Sequence, residues 1–300
     1  MSTTIKNVTV AGASGSIGAA ILHALNASGH FSLTVLKRHG SDFNPPEGVR
    51  IVSADYSSQK SLTTALIGQD AIISALGHAA LLDQITLADA AVKAGVTRFI
   101  PSEYGCNLSN ELARKLPSFA DKIKTQEHLF QLSQSTRLSY TIIYCTALLD
   151  WGLEYDFILR ISDCKPKLYN GGEQPFSATY LSTVGQAVAS ILAQPEQTKN
   201  TIVRVHDMVI SQKRLLQLAQ EVAPHKSWEP QNVSLDEITA AADERREKGL
   251  FDMETMMPYL FRGIMDPKYG GQLADVDNEL LGIVPKTEED VRQTLRKLIG

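Results

Sequence analysis

Three cysteines in 300 residues, Cys106, Cys145 and Cys164, are an odd number with no CxxC pair, which excludes a disulfide framework. The seven histidines include no HExxH and no Cys/His cluster at ligand spacing, so no metal is expected. The reducing cytoplasm is the expected compartment. Long apolar runs are also missing: the best candidates, residues 71–82 and 140–149, fall short of the roughly 18 residues a membrane span needs. Residues 1–6 carry neither an apolar stretch nor a cleavage pattern, so no leader and no membrane partner are expected. Nor is there an excess of positive charge. Lys and Arg number 29 against 33 Asp and Glu, a net −4, and a protein gripping a phosphate backbone is ordinarily basic. Nucleic acid is therefore not expected as a partner. Internal repeats and low-complexity linkers are absent too. What remains, 43% hydrophobic and 21% charged, is globular composition, and disorder is excluded as the main state.

Against about 150 residues per domain, the length suggests one large α/β domain or one and a half. The first half alternates short β-branched runs with helix-period segments. Strands are expected at 7–11, 31–36, 49–53, 70–75, 97–100 and 138–146, and helices at 16–28, 81–94 and 120–134. That alternation predicts a Rossmann-type doubly wound parallel sheet, with ligands at the carboxyl ends of the strands. The second half is less regular, with helices expected at 184–192, 212–222, 237–249 and 288–299 and a strand at 201–209. Residues 1–150 thus read as a nucleotide-binding domain, and 151–300 as a smaller carboxyl-side substrate lobe interleaved with it.

The strongest motif lies between the first strand and the first helix: Gly12-Ala13-Ser14-Gly15-Ser16-Ile17-Gly18. In a GxxGxxG spacing, Gly12 permits the tight turn, Gly15 lets a pyrophosphate approach the backbone, and Gly18 allows close helix–strand packing. The helix N-terminus then offers N–H groups and a favourable dipole to the anion. At the end of the second strand an NAD site usually places an acid for the ribose 2′-hydroxyl. Here stand Lys37 and Arg38, suited to a 2′-phosphate, so NADP(H) is the expected cofactor. Asp55-Tyr56 after strand three and Ala75-Leu76-Gly77-His78 after strand four lie where the cofactor should run. The one literal YxxxK, Tyr56 to Lys60, falls on the adenine side, too far from any nicotinamide to be catalytic. The better place for proton transfer is past strand five, in Pro101-Ser102-Glu103-Tyr104-Gly105, followed by Asp121 to Lys124 opening the next helix.

At these residues the chain resembles the NmrA-like, isoflavone-reductase-like branch of atypical short-chain dehydrogenases. The glycine loop, residues 54–62, 90–105 and 139–145 resemble that branch's corresponding elements, and the likeness weakens beyond residue 150. The resemblance implies an NADPH-dependent reductase of a small conjugated or aromatic substrate. It makes Lys122, in a K-x-K-V-x-x-x-[IL]-like register, the general acid or base, and sets Cys145 and Thr146 beside the nicotinamide. Tyr104 stands where plant members carry Phe, and Thr146 where they carry Asn. Tyr104, Leu148, Trp151 and Tyr155 are the expected substrate wall. The alternatives are a non-catalytic NADP-sensing regulator, or an enzyme using NADP for isomerisation or dehydration without net turnover. A monomer or a homodimer is expected.

Overall fold

The alternation read above produces a parallel sheet in the computed structural model, which describes residues 4–300; Met1–Thr3, from the segment searched for a leader, lie outside the described residues. The first half runs β1 (Asn7–Ala11), α1 (Ser16–Ser28), β2 (Ser32–Arg38), β3 (Arg50–Ala54), α2 (Gln59–Leu66), β4 (Ala71–Ser74), α3 (Asp83–Ala94), β5 (Arg98–Ile100), α4 (Glu111–Arg114), α5 (Ala120–Ser135) and β6 (Ser139–Tyr144). There follow β7 (Ala147–Leu148), α6 (Leu149–Glu154), β8 (Lys167–Tyr169), β9 (Pro175–Thr179), α7 (Leu181–Ala193), β10 (Thr201–Arg204) and β11 (Met208–Ser211). The chain closes with α8 (Gln212–Val222), β12 (Gln231–Val233), α9 (Leu235–Glu247), α10 (Met253–Met265) and α11 (Glu288–Ile299).

Seven strands pair in the order β3-β2-β1-β4-β5-β6-β10, every pair parallel. Central strands such as Ala71–Ser74 are buried throughout, because helices cover both faces of a parallel sheet. The seventh strand, β10, comes from the second half of the chain. So does α7, which packs against α1 closely enough that a Cβ on Gly185 would stand 2.5 Å from the Ala20 carbonyl oxygen. The seven-stranded sheet and its helix layer thus draw on both halves of the chain, with residues 181–204 packing into the part built by the first half.

One expectation needs correction, and one long helix has no counterpart in the sequence reading. The strand expected at 201–209 is two strands: β10 pairs with β6, whereas β11 pairs antiparallel with β9 in a separate three-stranded sheet, β11-β9-β7. Between them Asp207 turns the chain, its carboxylate accepting from the Tyr180 amide at 2.7 Å and the Thr183 hydroxyl at 2.9 Å. And α10, absent from the sequence reading, is a 13-residue helix capped by Asp252 at the Thr255 amide. It contains Pro258, which by sequence argues against a helix. The proline sits in the second turn, and Met256, Tyr259, Phe261, Ile264 and Met265 anchor the helix in the core.

Candidate active site

The site opens at the carboxyl ends of β1, β2 and β4. Gly12 takes φ +83°, and a Cβ there would stand 2.4 Å from the Ala75 carbonyl oxygen; on Gly18 it would stand 2.1 Å from the Gly12 oxygen. Both glycines therefore let backbone segments pack together. Gly15 is different: its nearest neighbour to an added Cβ is 3.6 Å away, so the space before α1 stays open. No side chain caps α1, and no acid stands in its first turn, which leaves the helix N-terminus to an anion. This loop, with Val35 to Arg38, Ser41, Phe43, Tyr56 and Ala75 to Gly77, lines a cleft of about 520 Å³.

On the wall of that cleft, Arg38 lies 5.6 Å from the centre of the Tyr56 ring and 3.4 Å from an Asp83 carboxylate oxygen. Lys37, expected to assist Arg38, spends its ammonium on the Ser41 carbonyl at 2.6 Å, holding the loop after β2. Tyr56 is buried and donates its hydroxyl to the Leu36 carbonyl at 3.1 Å; burial holds the phenol well above its usual range. The YxxxK tyrosine is thus a wall of the cleft, and Lys60 lies on α2, away from it.

The cleft continues into a second cavity of about 270 Å³, sharing Ile17, Leu76, Gly77, Ser102, Leu148 and Trp151 with the first. Into it come His78, Glu103, Tyr104, Lys122 and Thr146, with an apolar wall of Phe119, Phe157, Leu260 and Ile264. Lys122, in the first turn of α5, donates its ammonium to the Glu103 backbone carbonyl, and the Gly105 backbone lies beside it. Lys124 points elsewhere and pairs with Asp121 at 3.0 Å in solvent. Ser102 ties the two loops of the floor together: its hydroxyl donates to the Leu76 carbonyl at 2.8 Å, and its amide to Gln84 at 2.7 Å.

Backbone strain and unsatisfied polar atoms collect here. Tyr104 has φ +22° and Thr146 φ +54°, the latter a rare conformation for a β-branched residue. Gly105 holds both loops in place, its carbonyl accepting from the amides of Cys145 at 3.1 Å and Thr146 at 2.9 Å. The Tyr104 and Thr146 hydroxyls and both Glu103 carboxylate oxygens are buried without a protein partner. Burial pushes the Glu103 carboxyl above its usual range, against the opposing pull of Lys122. Cys106 and Cys145 are pushed up to about 12, again by burial, so neither thiol is a ready nucleophile.

Five expected site residues line neither cavity. Gly18 is spent on packing, and Asp55 is exposed, its carboxylate accepting from the Ser57 amide at 2.9 Å. Pro101 and Cys145 are buried behind the wall, and the Cys145 carbonyl takes the Thr179 hydroxyl. Tyr155 is 59% exposed and reaches the site only by stacking on Trp151 at 5.3 Å. Conversely, Phe43, Phe157, Leu260 and Ile264 were not anticipated. The spacing Met256, Leu260, Ile264 was the available signal, and Pro258 masked it. Among the described residues, no group of three or more His, Cys, Asp or Glu could hold a metal ion, and no helix is long and apolar enough to cross a membrane.

The sequence pattern of the NmrA-like family matches residues 4–240. The chain is 32% identical to Oxidoreductase aprR of Aspergillus flavus, over 98% of this chain and 99% of that protein. It is 28% identical to Oxidoreductase poxI of Penicillium oxalicum, over 95% and 92%. Among solved structures it superposes on AtPrR2 with NADP+ and (+)pinoresinol, at a TM-score of 0.80 and 20% identity over 100% of both chains. A second match is the leucoanthocyanidin reductase–NADPH complex from Vitis vinifera, at a TM-score of 0.78 and 19% identity over 96% of this chain and 99% of that one. At these identities the structural likeness is one of fold.

Proposed function

This chain belongs to the NmrA-like family, and on that premise we propose that it is an NADPH-dependent reductase of a small conjugated or aromatic metabolite. The observation that carries the reading is the union of two cavities. A dinucleotide-sized cleft floored by an open glycine loop runs into a mainly apolar pocket with one ammonium, that of Lys122, at its wall. Relatives named as oxidoreductases, and structural neighbours solved with NADP+ or NADPH, support it.

The residues present fit the cofactor. The side-chain-free surface of Gly15 and the uncapped start of α1 would take the pyrophosphate, and an added Cβ on Gly77 meets nothing within 4 Å, which leaves room for a ribose. Arg38 would take the 2′-phosphate, with Tyr56 beside it. When bound, NADPH supplies the hydride. Lys122 holds a proton at Nζ and delivers it to the substrate oxygen as negative charge builds there; the Glu103 carbonyl fixes where that ammonium points. Phe119, Phe157, Leu260 and Ile264 exclude water and favour a flat, apolar substrate.

The test is loss of NADPH absorbance with a panel of conjugated enals, enones, quinones and aromatic ketones, using NADPH deuterated at the transferable position. Deuterium in the recovered product supports net hydride transfer. Tight NADPH binding, with no turnover and no deuterium transfer anywhere on the panel, favours the sensing alternative.

A further inference from the structure

Arg38 carries the cofactor preference in the reading above, yet it is not free. Lys37 and Arg38 are the cations on the wall of the larger cleft among the described residues, and Lys37 is already committed to the Ser41 carbonyl at 2.6 Å. Arg38 is the one of the two whose side chain is not tied to a backbone carbonyl, and its planar fork suits a phosphate. Its Nη2 stands 3.4 Å from an Asp83 carboxylate oxygen, although residues 35–40 at the end of β2 include no acid. Asp83 arrives from the first residue of α3, 45 positions on, and its carboxylate lies near enough to the Tyr56 phenol to raise that group's pKa while Arg38 lowers it. Guanidinium and phenol ring therefore stand on the cleft wall, with the Asp83 carboxylate, itself outside the residues that line the cleft, held against Arg38.

We propose that Asp83 is a specificity-determining residue that competes with the cofactor's 2′-phosphate for Arg38 and so limits how strongly the site prefers NADPH over NADH. The inference rests on the NADPH reading and sharpens it. A 2′-phosphate arriving at Arg38 must displace the Asp83 contact or sit beside a like charge, and both oppose it. A 2′-hydroxyl bears no charge and meets neither cost. The pair is half exposed, with side-chain exposures of 58% for Arg38 and 39% for Asp83, so it is weak enough to exchange on binding. The pair links the end of β2 to the start of α3, and neither residue belongs to the glycine loop.

Isothermal titration of NADPH, NADH, adenosine 2′,5′-bisphosphate and ADP into the wild-type protein and Asp83→Asn tests this without any turnover. Asp83→Asn should tighten NADPH and the 2′,5′-bisphosphate by about two- to fivefold, the range an exposed ion pair allows, while NADH and ADP change little. The gain should shrink at high salt and vanish in an Arg38→Ala background, because Asp83 acts through Arg38. Unchanged or weaker NADPH binding by Asp83→Asn overturns the inference, as does equal tightening of NADH. A wild-type protein with equal affinity for NADPH and NADH overturns the NADPH reading itself, so the two failures are distinguishable. Thermal melts of each variant separate these effects from any loss of the helix-terminal stabilisation that Asp83 gives α3.

Discussion

Lys122 and Lys124 sit two residues apart on α5, and their contacts separate them: one faces the 270 Å³ cavity and the Glu103 carbonyl, the other an exposed aspartate. Replacing Lys122 by Ala should lower turnover by roughly 10²–10⁴, as for a lost general acid–base, with NADPH affinity nearly unchanged. Lys124→Ala should leave both alone, because exposed pairs are worth little. Turnover measured on the two variants with one substrate checks this; equal, near-normal rates would falsify the role of Lys122. Glu103 allows a second test by pH. Its carboxyl is raised in the folded protein, so the native state keeps a proton that the unfolded chain releases, and stability falls as pH rises from the ordinary carboxylate range toward the raised value. Glu103→Gln cannot ionise and lacks that loss. The melting temperature of the variant relative to wild type should therefore climb as pH rises above the ordinary carboxylate range, until the native carboxyl has ionised. A flat or falling difference contradicts a carboxyl held neutral by burial.

At the scale of elements, the helix pair α1 and α7 shows where sequence reading stops. Strand β1, helix α1, helix α8 and helix α11 were legible to the residue, because each has a clean apolar period and a cap or turn at its ends. The turn between β1 and α1 was legible for the same reason; Lys122 was singled out over Lys124 only through the resemblance, and its side chain lines the smaller cavity. That α7 would pack on α1 was not legible, since Gly185 reads as a weak point in a helix until the Ala20 carbonyl is seen against it. Gly185→Ala inserts a methyl group with Ala20 and Ala24 already in contact distance. It should destabilise the fold by about 1–3 kcal/mol through overpacking, visible as a lower denaturation midpoint. No change in the midpoint would mean the helices part freely. The positive φ values at Tyr104 and Thr146 had no sequence signal either; neither residue type favours that conformation, and only the Gly105 ties show why it holds.

Over the whole molecule, β10 and α7 carry the second half of the chain back into the first, while α6 and α10 wall the apolar cavity beside the cleft. The site is built from both halves, and its floor inherits the rigidity of a seven-stranded sheet. The chain is acidic by 4 charges, so retention of a polyanionic cofactor falls to local groups: the start of α1, Lys37 and Arg38. This puts the central claim on cofactor recognition, which calorimetric titration of NADPH and NADH into the same protein preparation measures most directly. NADPH should bind at least about tenfold tighter, a difference of about 1.4 kcal/mol, and Arg38→Ala should erase most of that margin. Equal affinities in the unmutated protein, or a margin that survives Arg38→Ala intact, would contradict it.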